Sequence, residues 1–497
     1  MDRNTLYNMT SPSSCRHGWS LKPAGILLGV LACTLMASCS RQRTFTHVYT
    51  TPEESWVQAR NESGDGEPVT LSLHTTPAYR AQEIEGFGAC FNELGWTSLS
   101  PLSETDRDEV IRELFHPTDG ARLSVCRMPV GANDFSRDWY SYNETPGDFA
   151  MRHFSIDNDR ETLIPFIKAA RHYCPDLKLW ASPWSPPSWM KTNGHYAAAS
   201  AGEDHDKKYR NGLPKEKEGH EGTDMMIQEP RYLKAYALYF QKFIRSYADE
   251  GIPIFAVMPQ NEFNSAQIFP SCCWTARSLA TFIGQYLGPA MMQEGVSVMM
   301  GTMERANTAL VDTVLSGSQS APYITGVGFQ WAGKGAIEET HRRYPGMKLL
   351  QTEQECGDGR NTWAGMVYAW HLMHHYLSHG VSIYDYWNIS LEEGGISRWG
   401  WAQNALVVVN PKEKTYRYTY EYYLLKHFSH YIQRGASLLR LPGKPANALA
   451  FLNPDGTVVL ICIETTGKAR NITLYLDEQK MTLHAKANSI NTWVFNK

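Results

Sequence analysis

The sequence lacks the marks of several protein classes. Its 47 Lys and Arg stand against 51 Asp and Glu, so the formal net charge is only −4, and no basic stripe gives nucleic acid a foothold. Ten cysteines are few for 497 residues. Those beyond Cys39 (Cys90, Cys126, Cys174, Cys272, Cys273, Cys356 and Cys462) form no C-x-x-C pair, which argues against a zinc site and a dense disulfide framework. The adjacent thiols Cys272-Cys273 are open to a vicinal disulfide or to separate fates. No G-x-G-x-x-G fingerprint follows the first predicted strand: Glu85-Gly86-Phe87-Gly88-Ala89-Cys90 runs on into Phe91-Asn92, so a dinucleotide enzyme is not expected. The longest apolar run, from Ala24 to Met36, is too short to span a bilayer comfortably.

That run has a clear context. Arg3, Arg16 and Lys22 precede it and Leu35-Met36-Ala37-Ser38-Cys39 closes it. A Cys directly after small residues resembles the bacterial lipoprotein signal, in which it is acylated and becomes the new N-terminus; an ordinary cleaved signal peptide is the alternative. The expectation is a leader over 1–38, a lipid-anchored Cys39 at the cell envelope and a polar tether over 39–52. Cleavage removes three basic residues and one acidic, shifting the charge from −4 to −6.

The remainder has 42% hydrophobic residues, ample for one large domain and a smaller one. Val69-Thr70-Leu71-Ser72-Leu73 alternates as a strand does. Near the other end, Ala448 to Leu452 and Thr457 to Ile463 flank Asn453-Pro454-Asp455-Gly456, a hairpin turn. Residues 53–83 and 431–497 therefore predict one β-sandwich built from both chain ends. Between them, over 84–430, short apolar runs alternate with helical patterns: strands near 85–90, 122–128, 177–182, 254–259, 297–301, 326–331, 348–352 and 382–387, and helices near 104–115, 161–173, 231–249, 277–292 and 363–378. Eight such strands predict an α/β fold, a (β/α)8 TIM barrel, better than a doubly wound sheet.

In such a barrel chemistry sits where strands end. Phe255-Ala256-Val257-Met258-Pro259 runs into Gln260-Asn261-Glu262, and Lys348-Leu349-Leu350-Gln351-Thr352 into Glu353-Gln354-Glu355. Two strand-end carboxylates facing each other across a barrel mouth suit glycoside hydrolysis, which needs one protonated and one ionised acid. Aromatic residues at 12%, with 15 Trp and 26 Tyr, suit stacking on sugar rings and equally a large core. Glu353 and Glu355 face the same way on a strand, so parity leaves both open.

The chain resembles glycoside hydrolase family 30, which contains glucosylceramidase and microbial endo-β-1,6-glucanases. The resemblance rests on Glu85-Gly86-Phe87-Gly88, Arg127-Met128-Pro129, Asn133-Asp134-Phe135-Ser136, the stretch from Ala181 to Gly194 with its Trp184, Gln260-Asn261-Glu262, Thr352-Glu353 and Asp385-Tyr386-Trp387-Asn388. It implies Glu262 as acid/base and Glu353 as nucleophile, with no metal or organic cofactor. Arg127 would then hold Glu353 ionised, Asn261 would bond the sugar 2-hydroxyl, and Asp134, Trp184, Trp331, Trp387 and Asn388 would line the first sugar subsite. One departure stands out: glucosylceramidase-like members carry His-Trp-Tyr after the sixth strand, whereas this chain reads Gln330-Trp331-Ala332, so another group must orient Glu353. The resemblance implies a retaining β-glycosidase, with β-1,6-glucan the expected substrate and β-glucosidase, glucosylceramidase-like, β-xylosidase or β-fucosidase action as alternatives. A non-catalytic glycan-binding protein is the rival of another class. The charged stretch 203–221, after the third strand, either shapes leaving-group subsites or is a solvated insertion.

Overall fold

A computed structural model describes residues 43–59 and 68–497 of the chain; the expected leader and Cys39 lie outside the described residues. Eight parallel strands run in chain order: Gly86–Cys90, Val125–Pro129, Lys178–Ser182, Ile254–Val257, Ser297–Met303, Ile324–Gln330, Lys348–Glu353 and Val381–Glu392. Each pairs with its sequence neighbour, and the eighth also pairs with the first, at Ile383↔Gly86 through Asn388↔Cys90. The sheet is closed. Val125, Trp180, Ala256, Met258, Met299, Leu350 and Ile383 fill its interior, and a larger apolar core lies between strands and surrounding helices.

The closure needs room at two glycines. A Cβ on Gly88 would sit 1.5 Å from the backbone oxygen of Val125, and one on Gly86 would meet the Val125 side chain at 2.7 Å. The Glu85-Gly86-Phe87-Gly88 motif thus lets the first and second strands approach.

The predicted helices 104–115 and 363–378 are found as Glu104–Phe115 and Trp363–Ser378. The helix expected over 277–292 is broken instead: Ala276–Phe282 and Gly288–Glu294 flank a π turn at Ile283–Leu287. Pro289 has no N–H for a regular ladder, and a wider turn absorbs the missing bond.

Both chain ends build the sandwich. Its larger sheet joins Phe45–Thr50, Arg80–Ile84, Ala436–Leu439, Ala448–Leu452, Val458–Glu464 and Ser489–Phe495 with the short strand Val57–Gln58, and the smaller sheet joins Pro68–Leu73, Arg470–Leu476 and Gln479–Ala485. The predicted hairpin turn at Asn453 to Gly456 is present, with Gly456 at φ +88°.

The tether expected over 39–52 requires correction, because Phe45–Thr50 is a strand paired with Ser489–Phe495 from Phe45↔Phe495 to Thr50↔Ile490. Its polar residues are partnered, not solvated. Thr50 Oγ1 bonds the buried His427 Nε2 at 2.9 Å, and His47 Nε2 bonds Asn491 Oδ1 at 3.0 Å. A polar side chain with a buried partner costs a strand little, so hydropathy alone hid it.

Candidate active site

Glu353 is the last residue of the seventh strand, whereas Glu262 sits in a turn five residues beyond the end of the fourth. That turn is held by its neighbours: Asn261 N donates to Pro183 O at 2.7 Å, and Glu262 N to Thr302 Oγ1 at 2.9 Å. Glu262 and Trp331 adopt φ of +43° and +47°, left-handed backbone that is costly outside glycine and concentrates at functional sites.

Both acids open onto one pocket, together with Asp134, Trp184, Asn261, Gln267, Phe269, Glu304, Trp331, Trp401 and Gln403. Gln330 joins them beneath. Its Nε2 donates to Glu262 Oε1 at 3.0 Å and to Glu353 Oε2 at 3.1 Å. These two bonds end to end hold the spacing of those oxygens below the roughly 6.5 Å at which glycosidases seat a water between their acids.

Glu353 is surrounded by donors. Arg127 Nη1 reaches Oε2 at 2.9 Å, and Trp331 Nε1 reaches Oε1 at 2.9 Å. Gln330 and Trp331 thus supply the orientation that a tyrosine hydroxyl at position 332 could have given. Burial raises the Glu353 carboxyl, against the pull of Arg127, Trp331 and Gln330 toward the ionised form. Among the described residues Glu262 has only Gln330 as a side-chain donor, and burial, then the charge of Glu353, pushes it up to about 7. The pair is therefore split, one acid dressed with donors and the other left to keep its proton.

Arg127 is fully enclosed. It stacks over Trp184 with its guanidinium carbon 4.3 Å from the ring centre, and donates to Asn261 Oδ1 at 2.7 Å and Ser182 Oγ at 2.9 Å. Asn261 Oδ1 also accepts from Thr302 Oγ1 at 3.1 Å and Gln330 Nε2 at 3.2 Å. Its oxygen being occupied, its amide N–H groups remain for a ligand. Asp134 has a buried Oδ1 without a partner among the described residues, and burial, then the charge of Glu353, raises its carboxyl well above the usual range.

Two expected lining residues lie elsewhere. Trp387 is enclosed one layer behind Trp184, ring centres 5.5 Å apart. Asn388 is also enclosed, accepting from Asn92 Nδ2 at 2.9 Å and donating to Gln403 Oε1 at 3.1 Å. It positions the pocket residue Gln403 instead of facing the cavity. The choice between Glu353 and Glu355 is geometric here: Glu355 leaves the strand, pairs with Lys334 Nζ at 2.6 Å and accepts from Tyr368 OH at 2.7 Å.

Sequence reasoning missed Gln267, Phe269, Glu304, Trp401 and Gln403. Gln267, Phe269, Trp401 and Gln403 come from long loops after the fourth and eighth strands, beyond the strand-end positions where barrel chemistry is sought, whereas Glu304 directly follows the fifth strand, Ser297–Met303, and was a strand-end carboxylate the sequence offered.

Comparison with known proteins gives a consistent picture. The model of the glycosyl hydrolase family 30 TIM-barrel domain matches residues 84–432, and that of the family's β-sandwich domain matches residues 444–493. Lysosomal acid glucosylceramidase from Mus musculus is 28% identical over 448 residues, covering 84% of this chain and 81% of that protein. Endo-1,6-beta-D-glucanase neg1 from Aspergillus fumigatus is 26% identical over 466 residues, covering 88% and 90%. Among solved structures, SrfJ from Salmonella typhimurium superposes with a TM-score of 0.78 at 21% identity, over 91% of this chain and 100% of that one. At that identity the superposition speaks for the fold alone.

Proposed function

The chain belongs to glycoside hydrolase family 30, and from that premise we propose that it is a retaining enzyme that cleaves β-1,6-glucan, with Glu262 as acid/base and Glu353 as nucleophile. The observation that carries the reading is the single Gln330 amide that touches both acids.

The steps follow from the geometry. A Glu353 oxygen attacks the anomeric carbon of the bound glucosyl unit. The bond from that carbon to the bridging oxygen breaks as the Glu262 proton passes to the oxygen, releasing the leaving group as an alcohol. Glu262, now ionised, takes a proton from water; the resulting hydroxide attacks the same carbon and displaces Glu353, restoring the β configuration. Asn261 directs its free amide N–H to the sugar 2-hydroxyl, a contact that strengthens as the oxocarbenium forms. Asp134 holds the same ring by hydrogen bonding, while Trp184, its ring covered by Arg127, backs the wall behind it.

Support for a glucan comes from the two relatives named as endo-1,6-beta-D-glucanases; five others are named as glucosylceramidases, four of them as putative. The absence of tyrosine at position 332 favours a ring bound otherwise than in the glucosylceramidases. The sequence pattern of a leader over 1–38 followed by Cys39 supports export and lipid anchoring at a bacterial envelope, where a polymer substrate is met.

The test is a product profile with chemical rescue. Wild type should release reducing ends from β-1,6-glucan; binding without release would return the protein to the non-catalytic class. Glu353→Gly should lose at least about four orders of magnitude in kcat and regain turnover with azide as the α-glycosyl azide. Glu262→Ala should keep activity on glycosides with very good leaving groups and yield the β-azide. Interchanged anomers would reverse the two roles.

A further inference from the structure

The mechanism above leaves the outer pocket unused. Seven residues past Glu262 on the same loop, Phe269 forms one side of the cavity. Trp401, from the loop joining the eighth strand to the strand Ala405–Asn410, stands edge-on to it with ring centres 6.4 Å apart. Trp184 and Trp387 are enclosed, but Trp401 is 43% exposed, an indole face left open beside the two acids. An acid/base delivers its proton to the bridging oxygen, so what lies beyond Glu262 on its own side of the cavity meets the departing group.

Two amides stand beside this aromatic pair. Gln267 spends its N–H on Ser265 Oγ at 2.6 Å, which leaves its carbonyl oxygen, and Gln403 spends its oxygen on the Asn388 amide at 3.1 Å, which leaves its N–H groups. One free acceptor and one free donor match hydroxyl groups, each of which both donates and accepts. An alkyl chain would strand both amides.

The platform is also held still. Asn211, within the charged insertion, donates to Ile268 O at 2.9 Å. Glu221 at its end pairs with Arg305 at 3.0 Å and accepts from Asn264 at 3.4 Å. Tyr209, in the same insertion, lies so close to Gly400 that a Cβ there would meet its ring at 2.7 Å. The insertion therefore touches both loops that carry the aromatic pair.

We infer that Phe269 and Trp401 form the subsite for the leaving group, stacking on the apolar face of a second pyranose ring, and that the 203–221 insertion fixes their spacing. This rests on the proposed function, and names its leaving group as a sugar, not a lipid. The experiment compares kcat/KM for a β-1,6-linked glucose disaccharide, for octyl β-glucoside and for β-glucosyl fluoride, whose leaving atom is too small to reach Trp401. Trp401→Ala should lower the disaccharide-to-fluoride ratio about tenfold, and Trp401→Tyr, which keeps a ring, should restore it to within about threefold. A ratio that does not move, or a loss larger on octyl glucoside than on the disaccharide, would overturn the subsite while leaving the proposed function standing. Wild-type enzyme inert toward the fluoride would overturn the function, and the subsite with it.

Discussion

At the scale of single residues the division of labour comes from who surrounds whom. Glu353 receives Arg127, Trp331 and Gln330, while Glu262 receives Gln330 alone on the Oε1 oxygen. That bond leaves Oε2 of Glu262 to carry the transferable proton. Because the proton must be present for the first step, kcat/KM should fall as the pH rises through about 7, the value to which burial and Glu353 push Glu262. The sign has a direct check. Replacing Glu353 by Gln removes the negative charge that disfavours ionised Glu262, so the Glu262 carboxyl should titrate lower in that variant by carbon-13 NMR; an unchanged or higher value would mean the acids do not sense each other. Both acids were legible in the sequence because each follows an apolar strand. Trp387 and Asn388 read equally well as wall residues, yet only packing decides whether a side chain at a strand end faces the cavity or the layer behind it.

At the scale of elements, all eight barrel strands were readable from short apolar runs, since a strand buried on both faces has little else to show. Helices over the fifth and sixth crossovers, Thr308–Leu315 and Lys334–Arg343, were missed; they are short and sit among polar residues that blur a 3.6-residue period. The pocket loops were out of reach for another reason: Trp401 and Phe269 meet from segments more than a hundred residues apart in sequence, and no local pattern records that. The glycines of the first strand were legible as a motif and become physical in the fold. With the Val125 carbonyl 1.5 Å from where a Cβ would stand, Gly88→Ala forces backbone apart at the barrel's seam, at a cost above the roughly 1 to 3 kcal/mol usual for overpacking. The expected outcome is little soluble protein and no near-ultraviolet circular dichroism from the barrel's tryptophans; a variant with wild-type thermal midpoint would show that the seam can open.

At the scale of the whole molecule, the strand Phe45–Thr50 ties the start of the described residues into the sandwich. Under the proposed lipid attachment at Cys39, a chain begun at Arg43 should keep its thermal midpoint and activity yet move from the membrane fraction to the soluble one. A chain begun at Glu53 loses the strand Phe45–Thr50, bares the edge of Ser489–Phe495 and strands His427 without Thr50; it should unfold at lower temperature and aggregate. Equal stability of the two would make the strand dispensable. The register of that strand, antiparallel along six pairs from Phe45↔Phe495 to Thr50↔Ile490, has a mechanical corollary. A tug on the leading end would be met in shear by the whole ladder at once and would pass into the final strand of the chain.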